Sequence, residues 1–450
     1  MRSTTRPKAA RDAPGARSDM SAARAKMVRG IGRWDLVALM CNITIGSGIL
    51  GLPSKLFSLT GAYSILTLVL CALLIAIVAI CFAEVGSRFT HSGGPYLFTR
   101  TAFGAAPGFI VGWLYWVSRV LAFATICNLL VGYVVRVLPA LHGPGRRLAI
   151  VSVVVIGIAL VNLFGIRHAT ILSNGLTTLK VSLLAVFGVV GIATASARPA
   201  LPATPPPLGD FSDAMLLGIF AFAGFESALV SAGEMRDPRR DIPFAVPMSL
   251  LAVAVLYAGV QIVCVATVPS LASSTAPFAD AAVALWGARG EQVIAVGAIV
   301  IMLGSLNSGF LATSRLPFAL AEQGDLPAVL SHVHRRFRTP HVAIVSSAAV
   351  AWLATAASSF LSLITLATST RVVVYIAGCI ALIVLRRRAD VPPAGFTAPF
   401  GRTIAVLASM LSLALLTNAS ASELTQLAIA AGLGVGIHAL VRVASGSPPP

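Results

Sequence analysis

Charged side chains are scarce in this chain. Asp, Glu, Lys and Arg make up 11% of its 450 residues, whereas soluble domains average about 25%. Hydrophobic residues account for 57%, and the mean hydropathy is +0.89. A chain with so few charges cannot cover a soluble domain of this size with polar surface. The composition therefore predicts a protein that crosses a membrane several times.

Patterns that hold metals or carry out catalysis are also missing. The six cysteines lie in apolar segments with no CxxC spacing: Cys41, Cys71, Cys81, Cys127, Cys264 and Cys379. This placement predicts neither a disulfide framework nor a metal site. The seven histidines are scattered, and no His-Glu-x-x-His pattern occurs. We therefore expect a protein that is not an enzyme and that needs no cofactor and no metal.

Apolar runs long enough to cross about 30 Å of hydrocarbon recur through the chain. They lie near residues 34–57, 62–86, 107–138, 148–165, 170–195, 212–233, 244–268, 292–316, 342–359, 361–385, 402–418 and 424–442. The pattern predicts an all-α polytopic membrane protein with about twelve transmembrane helices. The stretch 342–385 is too long for one crossing, so we divide it at Ser358 and Ser359.

Acidic residues are few, and the 33 Lys and Arg against 16 Asp and Glu give a net charge of +17. Such an excess could indicate a nucleic-acid partner. With the N-terminus inside, however, about 24 of the 33 basic residues fall on the inner side, as the positive-inside rule requires. The charge therefore predicts no nucleic-acid partner and an inner-membrane protein with both termini cytoplasmic. Residues 1–33 are expected to form a disordered basic tail, and residues 443–450 a short one.

Glycines interrupt two of the predicted spans. Residues 41–52 contain three glycines within six positions, and the span 212–233 contains Gly224 followed closely by Glu226. Backbone groups freed inside a bilayer must be buried in protein or line a cavity. Half-helix N-termini there favour a carboxylate and freed carbonyls favour an ammonium, which predicts an amino-acid substrate. The alternative is that these glycines only allow close helix packing.

Four sequence blocks carry a family resemblance. They are residues 45–53, 83–96, 220–243 and 314–340. On these blocks, the chain resembles members of the amino acid, polyamine and organocation (APC) superfamily of transporters. The resemblance implies a permease that moves amino acids across the cytoplasmic membrane by alternating access. Its expected partners are the lipid bilayer, a small amino-acid substrate and protons.

The resemblance also implies a LeuT-like fold with broken helices 1 and 6. The first five spans, residues 34–195, would form one repeat, and the next five, residues 212–385, would form a second repeat inverted on the first. This arrangement is a 5+5 inverted repeat. Two further helices within residues 402–442 would lie outside it. Both breaks would then meet near the middle of the membrane.

A binding site follows from the same resemblance. Its expected substrate-binding residues are Thr44, Ser47, Gly48, Ile49, Arg119, Phe220, Ala223, Gly224 and Gly309. Ser47 and Gly48 would donate hydrogen bonds to the substrate carboxylate. The carbonyls of Thr44, Phe220 and Ala223 would receive its ammonium. The Phe220 ring would close over the substrate as a lid, or it would serve only as a core aromatic.

Lys180 is the clearest candidate for coupling. A cation at membrane depth costs roughly 2.5 to 3.5 kcal/mol on insertion scales, and the resemblance places this lysine between the first and eighth spans. We expect it to hold the broken first helix and to release a proton during transport, with Asn307 and Ser308 completing the polar lining. The alternative is a permanent structural charge. For Glu226 two roles stay possible, one in the proton path and one in a structural ion pair.

Arg119 and Arg371 are two further cations within spans. The resemblance places Arg119 at the side-chain end of the pocket, near Gly309. One interpretation is an acidic or polar substrate side chain, and the other is that Arg119 pairs with Glu226 or Glu84 or lies away from the pocket. Arg371 would be a gate residue or a structural charge whose head reaches the membrane surface.

Two other functions stay open on the sequence. One is an exchanger or exporter of amino acids or amines without proton coupling. The other is a membrane sensor built on a transporter fold, although such proteins usually add a soluble signalling domain and both predicted tails are short. A charged turn at residues 237–241 could join Glu84 and Arg88 in an inner gate, or it could be a solvated loop.

Overall fold

The computed structural model describes residues 31–91, 93–164, 166–195, 204–230, 232–417 and 420–445. Over these residues the chain forms α-helices, short 3-10 turns and connecting loops. The helices are α1 Arg33–Thr44, α2 Ser47–Thr60, α3 Ser64–Gly86, α4 Pro95–Phe103, α5 Ala105–Val137, α6 Pro144–Phe164, α7 Ile166–Thr194, α8 Leu208–Phe222, α9 Phe225–Leu229, α10 Pro238–Thr267, α11 Pro277–Glu322, α12 His341–Ala357, α13 Phe360–Leu385, α14 Gly401–Thr417 and α15 Ala421–Ser445.

The predicted all-α polytopic class is confirmed. Within the described ranges, nine helical stretches are long and apolar enough to cross a membrane, and α12 and α14 are shorter apolar helices. The stretch Ser47–Gly86 holds parts of two predicted spans, because the 3-10 turn Gly61–Tyr63 joins α2 to α3. Over the described residues, each of the twelve predicted apolar runs therefore lies mainly in helix.

The division of the long run 342–385 is confirmed as well. Helix α12 ends at Ala357, and Ser358 after it has extended backbone, with φ −131° and ψ 162°. Helix α13 then begins at Phe360. Two polar serines at this point allow the chain to leave one helix and start the next.

The first span is broken between α1 and α2. Ile45 has extended backbone (φ −74°, ψ 93°), and Gly46 has φ −138° and ψ −137°. These two residues interrupt the helical ladder, so the carbonyls at the end of α1 and the amides at the start of α2 have no helical partners. All residues from Met40 to Leu52 are nevertheless buried.

The sixth span is broken between α8 and α9. Ala223 has extended backbone (φ −73°, ψ 134°), and Gly224 has φ 143°. Only glycine adopts this conformation without strain. The predicted break at Gly224 is therefore confirmed, and the short helix α9 begins directly after it.

Helix α5 forms the centre of the bundle and packs against α11 and α13. The two broken spans lie together, with α2 against α8 and α1 against α9, while α7 and α10 pack against α1. Helix α11 is kinked at Gly287 (φ 68°), so the predicted eighth span is the part that follows this kink. This packing brings α5, α7 and α11 to the two breaks.

Candidate functional site

The two breaks touch each other. A Cβ atom built on Gly48 would lie 2.7 Å from the Cα of Ala221, and one built on Gly224 would lie 3.0 Å from the Cα of Thr44. Real Cβ atoms do not approach backbone this closely, so only glycine allows the broken spans to meet. The convergence that the sequence suggested is thus present in the fold.

The N-terminus of α2 is buried at this meeting point. Gly46 precedes it with no side-chain cap, and Ser47 is 1% exposed. The Ser47 hydroxyl has no hydrogen-bond partner among the described residues. The first amides of a helix lack intrahelical acceptors and lie at the positive end of its dipole. With Gly48 and Ile49 also buried, this terminus can bind a carboxylate.

The carbonyls expected to receive an ammonium are only partly engaged. The carbonyl of Thr44 accepts the Tyr257 hydroxyl at 2.9 Å, and that of Phe220 accepts the Ala223 amide at 3.2 Å. Each carbonyl oxygen has two lone pairs, so both keep capacity for a second donor. Phe220 and Ala223 are each 6% exposed, and the Phe220 ring packs in the core.

Lys180 joins α7 to the first break. Its Nζ donates to the carbonyls of Asn42 at 3.0 Å and Ile45 at 3.1 Å, and to the Ser305 hydroxyl at 2.9 Å. The side chain is fully buried. An ammonium has three N–H donors, so these acceptors use all of them. The lysine therefore ties the end of α1 to α11.

The place of Asn307 and Ser308 in the polar lining beside Lys180 stays a prediction, and both residues bind asparagines of neighbouring helices. The Asn42 side-chain amide donates to the Ser308 hydroxyl at 2.9 Å, and the Asn162 amide donates to Oδ1 of Asn307 at 3.2 Å. These bonds connect α1 and α6 to α11. Ser305, one turn earlier on the same helix face, is the residue of α11 that binds the lysine.

Glu226 forms an ion pair with Arg371. The distance from Nε of Arg371 to Oε1 of Glu226 is 3.3 Å, and the two side chains are 1% and 0% exposed. The other carboxylate oxygen accepts the Gly224 amide at 3.0 Å and the Tyr375 hydroxyl at 3.3 Å. Arg371 therefore does not reach the membrane surface, and the partner of Glu226 is neither Arg119 nor a lysine.

Arg119 lies directly against the eighth span. A Cβ built on Gly309 would be 2.7 Å from Nη2 of Arg119, and Arg119 is 6% exposed. Over the described residues it forms no ion pair within 4 Å, and its Nε has no hydrogen-bond partner. The suggested pairing with Glu226 or Glu84 is therefore wrong, because both carboxylates are bound by other arginines.

Glu84 holds the segment that follows α13. Its carboxylate accepts hydrogen bonds from Nε of Arg386 and from the Ala398 amide, each at 2.8 Å. Nη2 of Arg88 lies 3.4 Å from Oε1 of the same carboxylate. The hydrogen bond from Arg386 to this carboxylate raises the pKa of the guanidinium above its usual value. No ion pair of the described residues joins the charged turn to Glu84 or Arg88, and Asp241 accepts the Asp237 amide within the turn itself.

The comparison with known families decides the class of the protein. A family model described as amino acid permease matches residues 31–437. The chain belongs to this family. The match runs from the start of α1 into α15, so it includes both breaks and every candidate site residue of the permease.

Several relatives of the permease are transporters. An uncharacterized transporter of Mycobacterium tuberculosis is 30% identical over 335 residues, which cover 73% of this chain and 74% of the relative. The serine/threonine exchanger SteT of Bacillus subtilis is 27% identical over 84% of this chain and 88% of its own length. The methylthioribose transporter of the same organism is 24% identical over 85% and 87%.

These relatives establish a multi-pass membrane transporter. The names of two of them refer to chemically different substrates, a pair of amino acids in one case and methylthioribose in the other. Similarity at this level therefore identifies the class of protein, a transporter, but does not identify the substrate. The substrate has to be argued from the side chains of the site.

Sequence reasoning missed several polar residues of the permease site. Asn42, Tyr257, Ser305 and Tyr375 all bind a break or a buried charge. Ser305 carried a usable signal, because it opens a short polar run in an otherwise apolar span. The two tyrosines carried none, since an isolated Tyr in a span is equally consistent with core packing.

Proposed function

We propose that this permease transports an amino acid across the cytoplasmic membrane by alternating access and couples the transport to protons. The observation that carries the proposal is the buried, uncapped N-terminus of α2 facing the break of the sixth span. A helix terminus buried without a cap calls for a partner. The carboxylate of a zwitterion is a suitable one.

The substrate carboxylate binds the amides and hydroxyl at the start of α2, from Ser47 and Gly48. The ammonium binds the remaining lone pairs of the Thr44, Phe220 and Ala223 carbonyls, with Gly224 keeping the backbone close. The unpartnered hydroxyl of Ser47 supports the first contact. The Phe220 ring, on the same break, covers the bound molecule.

Proton coupling is assigned to Lys180. As an ammonium it donates to Asn42, Ile45 and Ser305. A neutral amine has two N–H donors, so loss of the proton removes one of these three bonds and loosens the tie between α1 and α11. Each charge that crosses the membrane field contributes about 2.3 kcal/mol per 100 mV, which allows a proton to drive the cycle.

Exchange without protons is the second candidate. It is favoured by the similarity to a relative named as a serine/threonine exchanger. In that case Lys180 would stay charged and would serve only to fix the first break. The two candidates share the substrate site and differ in what drives net movement.

Uptake into proteoliposomes tests the proposal. The purified full chain is reconstituted, and a panel of labelled amino acids is offered with and without an inward proton gradient. The comparison includes Lys180→Ala and, as a matched control, Lys55→Ala, which removes a half-buried lysine of α2. We expect gradient-driven accumulation in the wild type and the control, and its loss in Lys180→Ala.

Two results would contradict the proposal. Uptake that ignores the gradient and requires internal amino acid would identify an exchanger and refute proton coupling. Failure of the wild type to move any amino acid of the panel in either format would refute amino-acid transport itself.

A further inference from the structure

Among the described residues, buried cations outnumber buried anions around the two breaks. Arg119, Lys180 and Arg371 are buried cations within membrane-spanning helices, and Glu226 is the buried anion beside the second break. Lys180 is satisfied by three neutral acceptors, and Arg371 is paired with Glu226. Arg119 is left without an ion pair among the described residues.

An unpaired guanidinium is costly at this depth. A charge at the centre of a bilayer costs roughly 2.5 to 3.5 kcal/mol on insertion scales unless it is paired. Arg119 is 94% removed from solvent, being 6% exposed, and its Nε has no acceptor among the described residues. A guanidinium has five donors in a planar fork that fits a carboxylate. Nε of this buried guanidinium therefore has no acceptor among the described residues and can donate to a carboxylate.

The sequence makes room for this guanidinium. Gly309 is the residue of α11 that Nη2 of Arg119 approaches, and a Cβ there would lie 2.7 Å from that nitrogen. Any side chain at this position would push the guanidinium away. The guanidinium of Arg119, on α5, therefore occupies the space that a side chain at position 309 of α11 would fill.

The guanidinium lies at a distance from the carboxylate end of the site. A Cβ built on Gly46, at the first break, would lie 3.5 Å from both Ile126 of α5 and Ser305 of α11. Arg119 comes seven residues before Ile126 and Gly309 four residues after Ser305, which is about 10 Å and about 6 Å along the two helices. The flexible arginine side chain spans part of this separation. The site therefore has a cationic group beyond its carboxylate end.

We infer that the substrates of this permease are amino acids with an anionic side chain, and that Arg119 binds that side-chain anion. The inference rests on the proposed function, since it uses the start of α2 for the substrate's own carboxylate. Arg119 then determines specificity, because a paired carboxylate relieves the buried charge and a neutral or cationic side chain does not.

Three side chains of the chain that could pair with Arg119 bind other groups. Glu226 binds Arg371, the Gly224 amide and the Tyr375 hydroxyl. Glu84 binds Arg386 and the amide of Ala398. Tyr115, one turn from Arg119, shares a hydrogen bond with the Ser227 hydroxyl at 2.8 Å. None of these three side chains forms an ion pair with Arg119, which supports the assignment of its anion to the substrate.

The test compares charged amino acids with neutral isosteres in proteoliposomes. For the wild type we expect glutamate or aspartate to have a KM lower than that of glutamine or asparagine by roughly 30-fold or more, the discrimination expected of a buried charge pair. Lysine should not compete. Arg119→Gln should abolish this preference, and Arg119→Lys should retain part of it. Gly309→Ala should weaken the preference in the same direction.

A matched control is Arg147→Gln. Arg147 is a partly buried arginine that donates to Asn128 and to backbone carbonyls near the end of α12, so its loss should leave the anion preference unchanged. Should Arg119→Gln fail to insert, the wild-type comparison of glutamate with glutamine and the Gly309→Ala variant decide the question.

The outcomes separate this inference from the proposed function. Wild-type transport of neutral amino acids with no competition from glutamate or aspartate would overturn the inference and leave amino-acid transport in place. Unchanged anion preference in Arg119→Gln would also overturn it. A wild type that transports no amino acid of any charge would remove the proposed function, and the inference with it.

Discussion

Buried charges are the residue-scale feature that most constrains this permease. The ion pair of Glu226 and Arg371 is almost fully removed from solvent, and Glu226 also accepts the amide of Gly224 at the second break. Desolvation of both ions largely offsets their mutual attraction, whereas breaking such a pair leaves an uncompensated buried charge. The pair therefore fixes the geometry of the break more than it adds stability.

A double-mutant cycle tests this pair. We expect Glu226→Gln to lower the free energy of unfolding by about 3 to 5 kcal/mol, because Arg371 is left unpaired, and Arg371→Gln to lower it comparably. The double variant should be less destabilised than the sum of the two. The free energy of unfolding is measured by denaturant titration in detergent for the wild type, the two single variants and the double variant. Additive effects of the two substitutions would show that the residues do not interact.

The identity of the charge partners could not be predicted from the sequence. Composition marked Arg119, Glu226 and Arg371 as expensive residues inside spans, but which of them meet depends on the rotation of each helix about its axis. Glu226 and Arg371 are far apart in the chain, and the sequence alone makes Arg119 an equally plausible partner for Glu226. Helix packing, which periodicity does not resolve in spans that are apolar on all sides, decides the pairing.

Breaks in helices were predictable at the scale of elements, because they depend on local chemistry. Glycine at positions 46 and 224 marked the places where a ladder of hydrogen bonds could end, and the structure places the interruptions there. Gly48 lies inside α2. The segment after α13 was not predictable in the same way. Its position is set by Glu84, which lies more than 300 residues away along the chain.

Loss of the Glu84 carboxylate should release this segment. Residues 386–400 are held at the end of α3 by three hydrogen bonds. Arg386 and the Ala398 amide donate to the Glu84 carboxylate, and the Gly395 amide donates to the Ser87 hydroxyl at 3.1 Å. We expect Glu84→Gln to remove the ion pair and to accelerate trypsin cleavage after the exposed Arg387 and Arg388 by several-fold, since local opening controls proteolysis.

The cleavage rate in detergent checks that expectation. Glu423→Gln provides the control, because Glu423 is a partly exposed carboxylate at the start of α15 that accepts the Ser420 amide and lies outside the segment. Equal cleavage rates for Glu84→Gln and the wild type would show that the segment is held by other contacts.

At the scale of the whole molecule, the proposed alternating access requires the candidate site to open to each side of the membrane in turn. In this structure Ser47 is 1% exposed and both breaks are enclosed, so the site is closed to bulk solvent at its centre. Alternating access requires other conformations in which this position faces water. The burial of the candidate site is therefore a property of one state of the transport cycle.

A cysteine at position 47 reports on these states. The six native cysteines are buried, which favours a low background of labelling. In right-side-out and inside-out vesicles, we expect Ser47→Cys to react with a membrane-impermeant thiol reagent from each side, and a transported substrate to slow the reaction by closing the site. Ser412→Cys, buried on α14 away from the breaks, should not respond to substrate. Reaction at Ser47→Cys that substrate leaves unchanged would place this residue outside the transport pathway, because a substrate-binding position cannot stay equally accessible when it is occupied.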